Sequence, residues 1–422
     1  MKILSIETSC DETALAIIEA EGDLDNPKFE IISEALNSQI DIHKEYGGVF
    51  PAVAKREHAR NLVPLLEELN SKFQITKNQI PNSKFQTESN SNKIPDQVRD
   101  DKTDEIPEQV LNDKTDEIQK LLEREPQLTE KLFSFLETHE KPDLDLITVT
   151  SGPGLEPCLW TGINFAKALS IVWQIPLLPV NHMEGHISSI LINQNRGSTK
   201  SEIRNPKINF PTLALLISGG HTELVLIKSW GKYEVIGQTK DDAVGEAYDK
   251  VARLLGLPYP GGPEIAKLAE EAREKDLPFS EISFPRPMVN SKDFDFSFSG
   301  LKTAVLYKTQ ELGEISDDMK KIIAREFEQA IVDVLKKKVT DAIDQFDIKN
   351  LIVGGGVISN QYIRKNLQEL VEEKDIEVFF PEQKLSTDNA VMIGMAGYLK
   401  SFREQAVVNP EIKAEGNLSL NS

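Results

Sequence analysis

The chain has 422 residues, which is enough for two domains of ordinary size, each with its own apolar core. A hydrophobic share of 39% and a charged share of 27% are typical of a soluble globular protein, and no apolar run reaches the ~18 residues that a membrane-spanning helix needs. The formal net charge of −20 argues against a large nucleic-acid surface, but it leaves room for a local basic patch or for a partner that supplies one.

The N-terminus has the pattern of a strand, a turn and a second strand, and it lacks the features of a secretory signal. Apolar residues at 2–6 and 14–18 flank a turn of hydroxyl and carboxylate side chains that includes Asp11 and Glu12. One large group of ATPases meets phosphate and its metal at such a turn, although an ordinary surface hairpin has the same pattern. Two cysteines in the whole chain are too few for a disulfide framework, which predicts a reducing, cytoplasmic location.

The next segments predict a helix and then an insertion. Apolar residues at helical spacing predict a helix from Ala52 to about residue 69. Residues 74–120 are polar and almost free of aromatic side chains, and they contain a near-repeat of twelve residues at 94–105 and 106–117. One tandem copy is too little for a solenoid, so we predict a mobile surface insertion. A helix near residues 128–136 follows it.

The rest of the first half predicts alternating strands and helices. Residues 145–150 form a buried-strand pattern, the turn 151–154 leads to a helix at 161–173, and 177–180 is a further short strand. The glycines of the turn would allow close approach of the backbone to a ligand, although this four-residue signal is weak.

The second half repeats the opening pattern after a polar connector at 197–209. A strand at 212–217, a small-residue turn at 218–222 and a strand at 223–227 resemble the first strand–turn–strand unit, and such a turn presents backbone N–H groups to an anion. A strand ending in the glycines 354–356 before a helix favours a nucleotide pocket. We therefore predict a first lobe at 1–207, a second lobe at 208–400 and a polar tail at 401–422.

A His-x-x-x-His pair, His182 and His186, is the strongest chemical signal. In a helix these residues lie one above the other, so both imidazoles can bind one ion such as zinc or iron(II). Peptidase motifs place Glu directly after the first His, whereas Glu184 follows two residues later. A helix with two half-buried histidines explains the pair equally well. Asp388 is the candidate third ligand, although a carboxylate before a helix is often only a cap.

Eight segments, in order, carry a specific resemblance that covers nearly the whole chain outside the insertion. They are IETSCDETALAI, HKEYGGVFPAVAKREHARNLVPLL, NHMEGH, LISGGHTELV, GEAYDKVARLLGLPYPGGP, FSFSGLKTA, GGGVISN and STDNAVMIG. In these segments the chain resembles the bacterial type of the tRNA N6-adenosine threonylcarbamoyltransferase family, formerly described as O-sialoglycoprotein endopeptidases. The resemblance implies an α/β architecture, the duplicated actin-like ATPase fold, in which two ribonuclease H-like lobes surround a nucleotide cleft.

The same resemblance implies the reaction and its residues. The family transfers threonylcarbamoyl from threonylcarbamoyl-adenylate to N6 of the adenosine 3′ of the anticodon, in tRNAs that read codons beginning with A. By position, His182, His186 and Asp388 hold a divalent metal, with iron(II) as the first choice and zinc as the second. The residues implied for the adenylate, whose adenine nucleotide is part of the substrate, are Leu216, Ile217, Ser218, Gly219, Gly220, Asp249, Gly262 and Asn360.

Asp11 and Glu12 are the candidates for general-base work on the exocyclic amine, which is a poor nucleophile. Orienting the first turn, or meeting the metal through water, explains them equally well. The partners implied are tRNA, an inactive paralogous subunit and a small P-loop ATPase, with no membrane. Three alternatives remain open: a small-molecule kinase on the same fold, which leaves the His pair without a role; a non-catalytic scaffold; and a peptidase, which lacks its general base.

Overall fold

The structure is a computed structural model that describes residues 1–79, 108–192, 207–278 and 282–421. The strands are β1 (Lys2–Glu7), β2 (Glu12–Glu21), β3 (Lys28–Ser38), β4 (Leu146–Gly152), β5 (Leu177–Asn181), β6 (Thr212–Ile217), β7 (Thr222–Ser229), β8 (Lys232–Gln238), β9 (Asn350–Gly354) and β10 (Glu377–Phe379). The helices are α1 (Ile40–Lys44), α2 (Pro51–Gln79), α3 (Glu108–Leu121), α4 (Pro126–Thr138), α5 (Glu156–Trp173), α6 (His182–Ser188), α7 (Val244–Leu254), α8 (Gly261–Glu274), α9 (Ser299–Leu312), α10 (Asp317–Phe346), α11 (Gln361–Glu373) and α12 (Ala390–Ser401).

The two sheets have the same topology. The first has the order β3-β2-β1-β4-β5, and the second has the order β8-β7-β6-β9-β10. In each sheet the first three strands form an antiparallel meander. The fourth strand pairs in parallel with the first, and the fifth pairs in parallel with the fourth. Tight turns join the antiparallel strands, whereas the parallel pairs need the crossover helices α5 and α11. The predicted fold, a duplicated two-lobed α/β structure of the actin-like type, is confirmed.

Apolar side chains divide into three clusters that explain how the lobes are assembled. One covers the outer face of the first sheet with α2, α4 and α5, and another covers the outer face of the second sheet with α7, α8 and α10. The third lies between the sheets, where α6 and α12 bury Met183, Ile187 and Met392 against residues of both sheets such as Ile3 and Leu216. The helix with the histidine pair and the helix after Asp388 therefore share one buried layer.

The C-terminal segment is more than the polar tail expected from its composition. The N–H of Leu177 in β5 donates to the carbonyl of Val407, and Ile412 is buried in the core of the first lobe. Farther along, the carbonyl of Glu415 lies 2.0 Å from the place where a Cβ on Gly152 would be. The glycines of the 151–154 turn therefore make room for this segment and for the first turn of the chain, and not for a ligand.

The predicted insertion lies partly outside the described residues, including the first copy of its near-repeat. Its end is helical, because α3 begins at Glu108, and Ile118 and Leu122 are fully buried against the first-lobe core. This end of the insertion is thus a packed part of the first lobe. Within the described ranges, no helix combines the length and apolar character needed to cross a membrane.

Candidate metal and nucleotide site

The histidine pair lies at the start of α6, directly after β5. The Asn181 side chain caps the helix by accepting hydrogen bonds from the N–H groups of Met183 (2.8 Å) and Glu184 (3.4 Å). His182 and His186 then lie one turn apart, with perpendicular rings whose centroids are 4.7 Å from each other. His182 is 5% exposed and His186 is fully buried, so the pair faces the layer between the lobes.

Asp388 reaches the same point from the segment before α12. Its Oδ1 lies 3.4 Å from Nε2 of His182 and 3.2 Å from Nε2 of His186. The cap of α12 is the neighbouring Asn389, whose Oδ1 accepts from the N–H of Met392 (3.0 Å). Asp388 is therefore free of the capping role that its sequence position allows.

These three residues fit a divalent metal. Nδ1 of His186 is buried without a hydrogen-bond partner in the described part of the chain, and Nε2 has only the Asp388 carboxylate beside it, at 3.2 Å. A buried imidazole with no partner is costly unless a ligand completes it. The three ligand atoms lie within 4.8 Å of one another, and ligands at about 2.1 Å from a tetrahedral ion are about 3.4 Å apart. Two imidazoles and one carboxylate suit zinc or iron(II).

Glu7, at the end of β1, supports the first ligand and was not singled out from the sequence. Nδ1 of His182 lies 3.1 Å from Oε2 of Glu7, which also accepts from the Thr150 hydroxyl (2.5 Å). Burial alone would raise the pKa of Glu7, but the charge of His182 and its hydrogen bond leave that pKa lowered. A carboxylate on the second imidazole nitrogen fixes the tautomer that directs Nε2 to a metal. The sequence feature that could have identified Glu7 is its position as a carboxylate at the end of a buried strand.

Glu184 is held away from the histidine pair. Its Oε1 accepts from the Tyr233 hydroxyl (3.0 Å) and from the Arg403 guanidinium (2.7 Å). A general base for peptide hydrolysis would have to approach a metal-bound water, and this carboxylate is committed elsewhere. The geometry thus agrees with the spacing argument against a peptidase.

The turn between β1 and β2 places Asp11 and Glu12 near Asp388. Burial raises the pKa of both carboxyls, and the charge of Asp388 adds to the rise. They are hydrogen-bonded to each other, which requires one shared proton. The proton belongs to the pair, so one carboxyl of the two is ionised.

His58, in α2, holds the turn between β1 and β2 through hydrogen bonds at both of its ring nitrogens. Its Nε2–H donates to the carbonyl of Cys10 (3.0 Å), which can only accept, so Nδ1 accepts from the Thr13 hydroxyl (2.8 Å). Burial lowers the pKa of His58 to about 4, against the opposing effect of the Cys10 carbonyl. The folded protein therefore requires the neutral ring.

This lowered pKa makes stability depend on pH. The unfolded state binds the proton below a pKa of 6.5 and the folded state only below about 4, so stability contributed by His58 is lost as pH falls between these values. We expect the free energy of unfolding of wild type to fall relative to a His58→Gln variant by about 2 kcal/mol between pH 7 and pH 5. Urea titrations at the two pH values measure this difference. An unchanged difference would contradict a buried neutral His58.

The turn after β6 lies beside the metal site in the second lobe. A Cβ added to Gly219 or Gly220 would meet no atom within 4 Å, so the backbone faces open space there. Burial, followed by the charges of the histidine pair, lowers the pKa of His221 to about 4, which shows that the turn approaches those rings. Leu216 and Ile217 precede the turn with side chains fully buried in the core, so they position the turn and present no side chain to a ligand.

A cavity of about 690 Å³ lies between α7, α8, α10 and α11. Gly262 and Asn360 line it, as expected for a nucleotide, and a Cβ on Gly262 would meet nothing within 4 Å. The Asn360 side chain is already occupied, because Oδ1 caps α11 while Nδ2 donates to Glu328 (2.6 Å). Glu328 also pairs with Arg273 (2.6 Å). Sequence reasoning missed this pair, since two charges 55 residues apart have no local pattern.

The cavity and the metal site meet at the end of β9. A Cβ on Gly354 would lie 3.0 Å from the carbonyl of His186, and Gly356, two residues later, lines the cavity. Asp249, the remaining expected residue, accepts from the N–H of Gly261 (2.7 Å). Burial raises the pKa of Asp249, and the charge of Asp11 in the first lobe adds to the rise. The end of β9 thus lies between the candidate metal ligands and the cavity.

Comparison with known proteins agrees with this arrangement. The model of the TsaD family, tRNA N6-adenosine threonylcarbamoyltransferase, matches residues 30–82 and 117–395. The tRNA N6-adenosine threonylcarbamoyltransferase of Thermosipho africanus is 38% identical over 420 residues, covering 100% of both chains. That of Persephonella marina is 38% identical over 407 residues, covering 96% of this chain and 91% of the relative.

Among solved structures, full-length HypF in its phosphate- and nucleotide-bound form is 14% identical, with a TM-score of 0.46 over 67% of this chain and 42% of that one. The activator of 2-hydroxyisocaproyl-CoA dehydratase from Clostridium difficile is 10% identical, with a TM-score of 0.42 over 96% and 97%. The full-length sequence relatives and the family model confirm the expectation taken from the eight segments. The chain belongs to the tRNA N6-adenosine threonylcarbamoyltransferase family, and it is a transferase.

Proposed function

We propose that this chain transfers threonylcarbamoyl from threonylcarbamoyl-adenylate to N6 of the adenosine 3′ of the anticodon, in tRNAs that read codons beginning with A. The observation that supports it best is the His182–His186–Asp388 cluster, in which two buried imidazoles and one partly buried carboxylate place their ligand atoms within 4.8 Å of one another. A kinase on the same fold would give this cluster no role.

The reaction forms one bond and breaks one. N6 of adenosine attacks the carbamoyl carbon, the bond from that carbon to the phosphate oxygen breaks, and AMP leaves with the electron pair. His182, His186 and Asp388 would hold a divalent metal, iron(II) as the first choice and zinc as the second. When bound, the metal would supply Lewis-acid polarisation of the carbonyl oxygen.

The chain's own residues do the remaining work. The ionised member of the Asp11–Glu12 pair accepts the proton that N6 releases. The glycine turn at 219–220 and Gly262 leave room for the backbone to approach the phosphate and sugar. Asp249 accepts a hydrogen bond from a ribose hydroxyl. Asn360 caps α11 and so holds the first turn of that helix at the cavity wall. The buried side chains of Leu216 and Ile217 fix the position of Ser218, which follows them in the turn.

Partners supply part of the tRNA surface in this proposal. A net charge of −20 is unfavourable for binding a polyanion alone. An inactive paralogous subunit and a small P-loop ATPase are the partners that the family resemblance implies. Tight binding of tRNA by the isolated chain at physiological salt would contradict this division of labour.

The deciding experiment is transfer of labelled threonine from threonylcarbamoyl-adenylate to tRNA, with both partner proteins present. We expect label on a tRNA that reads an A-starting codon, and no label on the same tRNA with guanosine at the target position, because guanosine lacks the N6 amine. Digestion to nucleosides identifies the labelled product. Label on the guanosine-substituted tRNA would contradict the proposed acceptor.

A further inference from the structure

An exposed pair of stacked aromatic rings lies in the loop between α1 and α2, outside all the residues assigned above. The rings of Tyr46 and Phe50 have centroids 5.6 Å apart and planes inclined by 20°. Their exposed fractions are 55% and 50%, so most of two large apolar surfaces faces water. Adjacent apolar side chains exposed to water are typical of a surface that binds another molecule.

The loop is built to hold these rings side by side. Gly47 and Gly48 have φ values of +66° and +153°, which allow the chain to reverse between the two aromatic residues. Buried His43 closes the loop, because its carbonyl accepts from the N–H of Tyr46 (3.0 Å) and its Nδ1 accepts from the N–H of Phe50 (3.4 Å). The stacked pair is thus a fixed feature of the fold.

The loop is linked to the reaction centre on both sides of the cleft. Nε2 of His43 lies 3.3 Å from Oε1 of Gln39, whose backbone N–H donates to the carbonyl of Asp11 (2.9 Å). From the second lobe, the Arg253 guanidinium donates to the carbonyl of Gly47. The charge of Arg253 also lowers the pKa of Asp249, against the effect of burial, so the guanidinium lies near the Asp249 carboxyl as well. The loop that carries the rings therefore contacts both the segment paired with the first turn and α7 of the second lobe.

We propose that Tyr46 and Phe50 form a stacking platform for an unpaired base of the tRNA anticodon loop, adjacent to the target adenosine. This inference rests on the proposed function and deepens it. The anticodon loop is single-stranded, and a target base that enters a buried site leaves its neighbouring base without a stacking partner. An aromatic side chain replaces that lost stacking for any base, because every base has a π-face. The Arg253 guanidinium beside the loop adds a cation near the RNA backbone.

The test places 2-aminopurine in full-length tRNA, immediately 5′ or 3′ of the target adenosine, with both partner proteins and threonylcarbamoyl-adenylate present. We expect quenching of its fluorescence by wild type at one of the two positions, and loss of that quenching with Tyr46→Leu or Phe50→Leu. The KM for tRNA should rise about 10-fold in each variant. The KM for threonylcarbamoyl-adenylate should not change. Tyr46→Trp should keep both the quenching and the KM.

Tyr307→Leu is the matched control, because Tyr307 is 66% exposed and belongs to α9, outside this loop. It should leave quenching and both KM values unchanged. Unchanged tRNA KM and quenching in Tyr46→Leu would overturn the inference. So would a tRNA KM restored by excess partner protein, because the loop would then bind a protein and not RNA. Failure of wild type to label any tRNA would instead contradict the proposed function.

Discussion

A His186→Ala variant is expected to lose its bound metal and at least about 10²-fold of its transfer rate while it remains folded. The structure gives the reason: the only polar side chain beside the His186 ring in the described residues is Asp388, and that carboxylate keeps His182 at 3.4 Å when the ring is removed. Metal content by elemental analysis, labelled-threonine transfer and thermal unfolding measure the three effects on one preparation. Retention of metal with full activity would contradict the assigned ligand set.

The other histidine provides a contrast. His182→Ala would also remove a ligand, but it would leave the buried Glu7 carboxylate without its imidazole. An unpaired buried charge is destabilising, so we expect this variant to unfold at a lower temperature than His186→Ala. Adding Glu7→Gln to His182→Ala should recover part of that stability without recovering activity. Equal stability of the two single variants would show that Glu7 does not depend on His182.

Arg273→Met is expected to lower the free energy of unfolding by about 3 kcal/mol. Arg273 pairs with Glu328 at 2.6 Å, and Glu328 is fully buried in the wall of the cavity. Burial already raises the pKa of Glu328, and Arg273 opposes that rise. Without the guanidinium the folded state favours a protonated Glu328 even more strongly. Stability is then present at low pH and is lost as pH rises above the unfolded pKa near 4.5.

Urea unfolding of Arg273→Met at pH 5 and pH 8 measures this effect, with the larger loss expected at pH 8. Adding Glu328→Gln should restore much of the stability and remove the pH dependence, because a neutral amide needs no cation. The Glu328→Gln single variant should have little pH dependence of this origin. A loss from Arg273→Met that is equal at both pH values would indicate packing of Arg273 on Tyr362 as the main contribution.

The sequence predicted those parts of the fold whose strands are buried. The hairpins β1–β2 and β6–β7 have continuous apolar runs beside small-residue turns, and their repetition indicated two lobes. The meander strands β3 and β8 escaped notice because each is largely exposed and carries charges along its length. The polar composition of α3 hid a helix whose buried contacts come from only a few residues such as Ile118.

The site was predictable where its residues are close in sequence. The spacing of His182 and His186 placed two ligands on one helix face, whereas Asp388 was ambiguous until the structure assigned the helix cap to Asn389. Glu7 lies 175 residues from the imidazole that it supports, and no local pattern connects them. Asn360 lines the cavity, and its side chain caps α11 and contacts Glu328, so its expected role in binding the adenylate stays a prediction.

The position of α12 determines what happens when the cleft widens. This helix follows the second sheet in the chain, yet it packs on β1, β2, β5 and α6 of the first lobe. Asp388 precedes it directly, and both histidines belong to α6. Rotation of the second sheet away from the first would therefore leave all three candidate ligands together on the first lobe. Exchange of the nucleotide would then require no release of an ion bound to them.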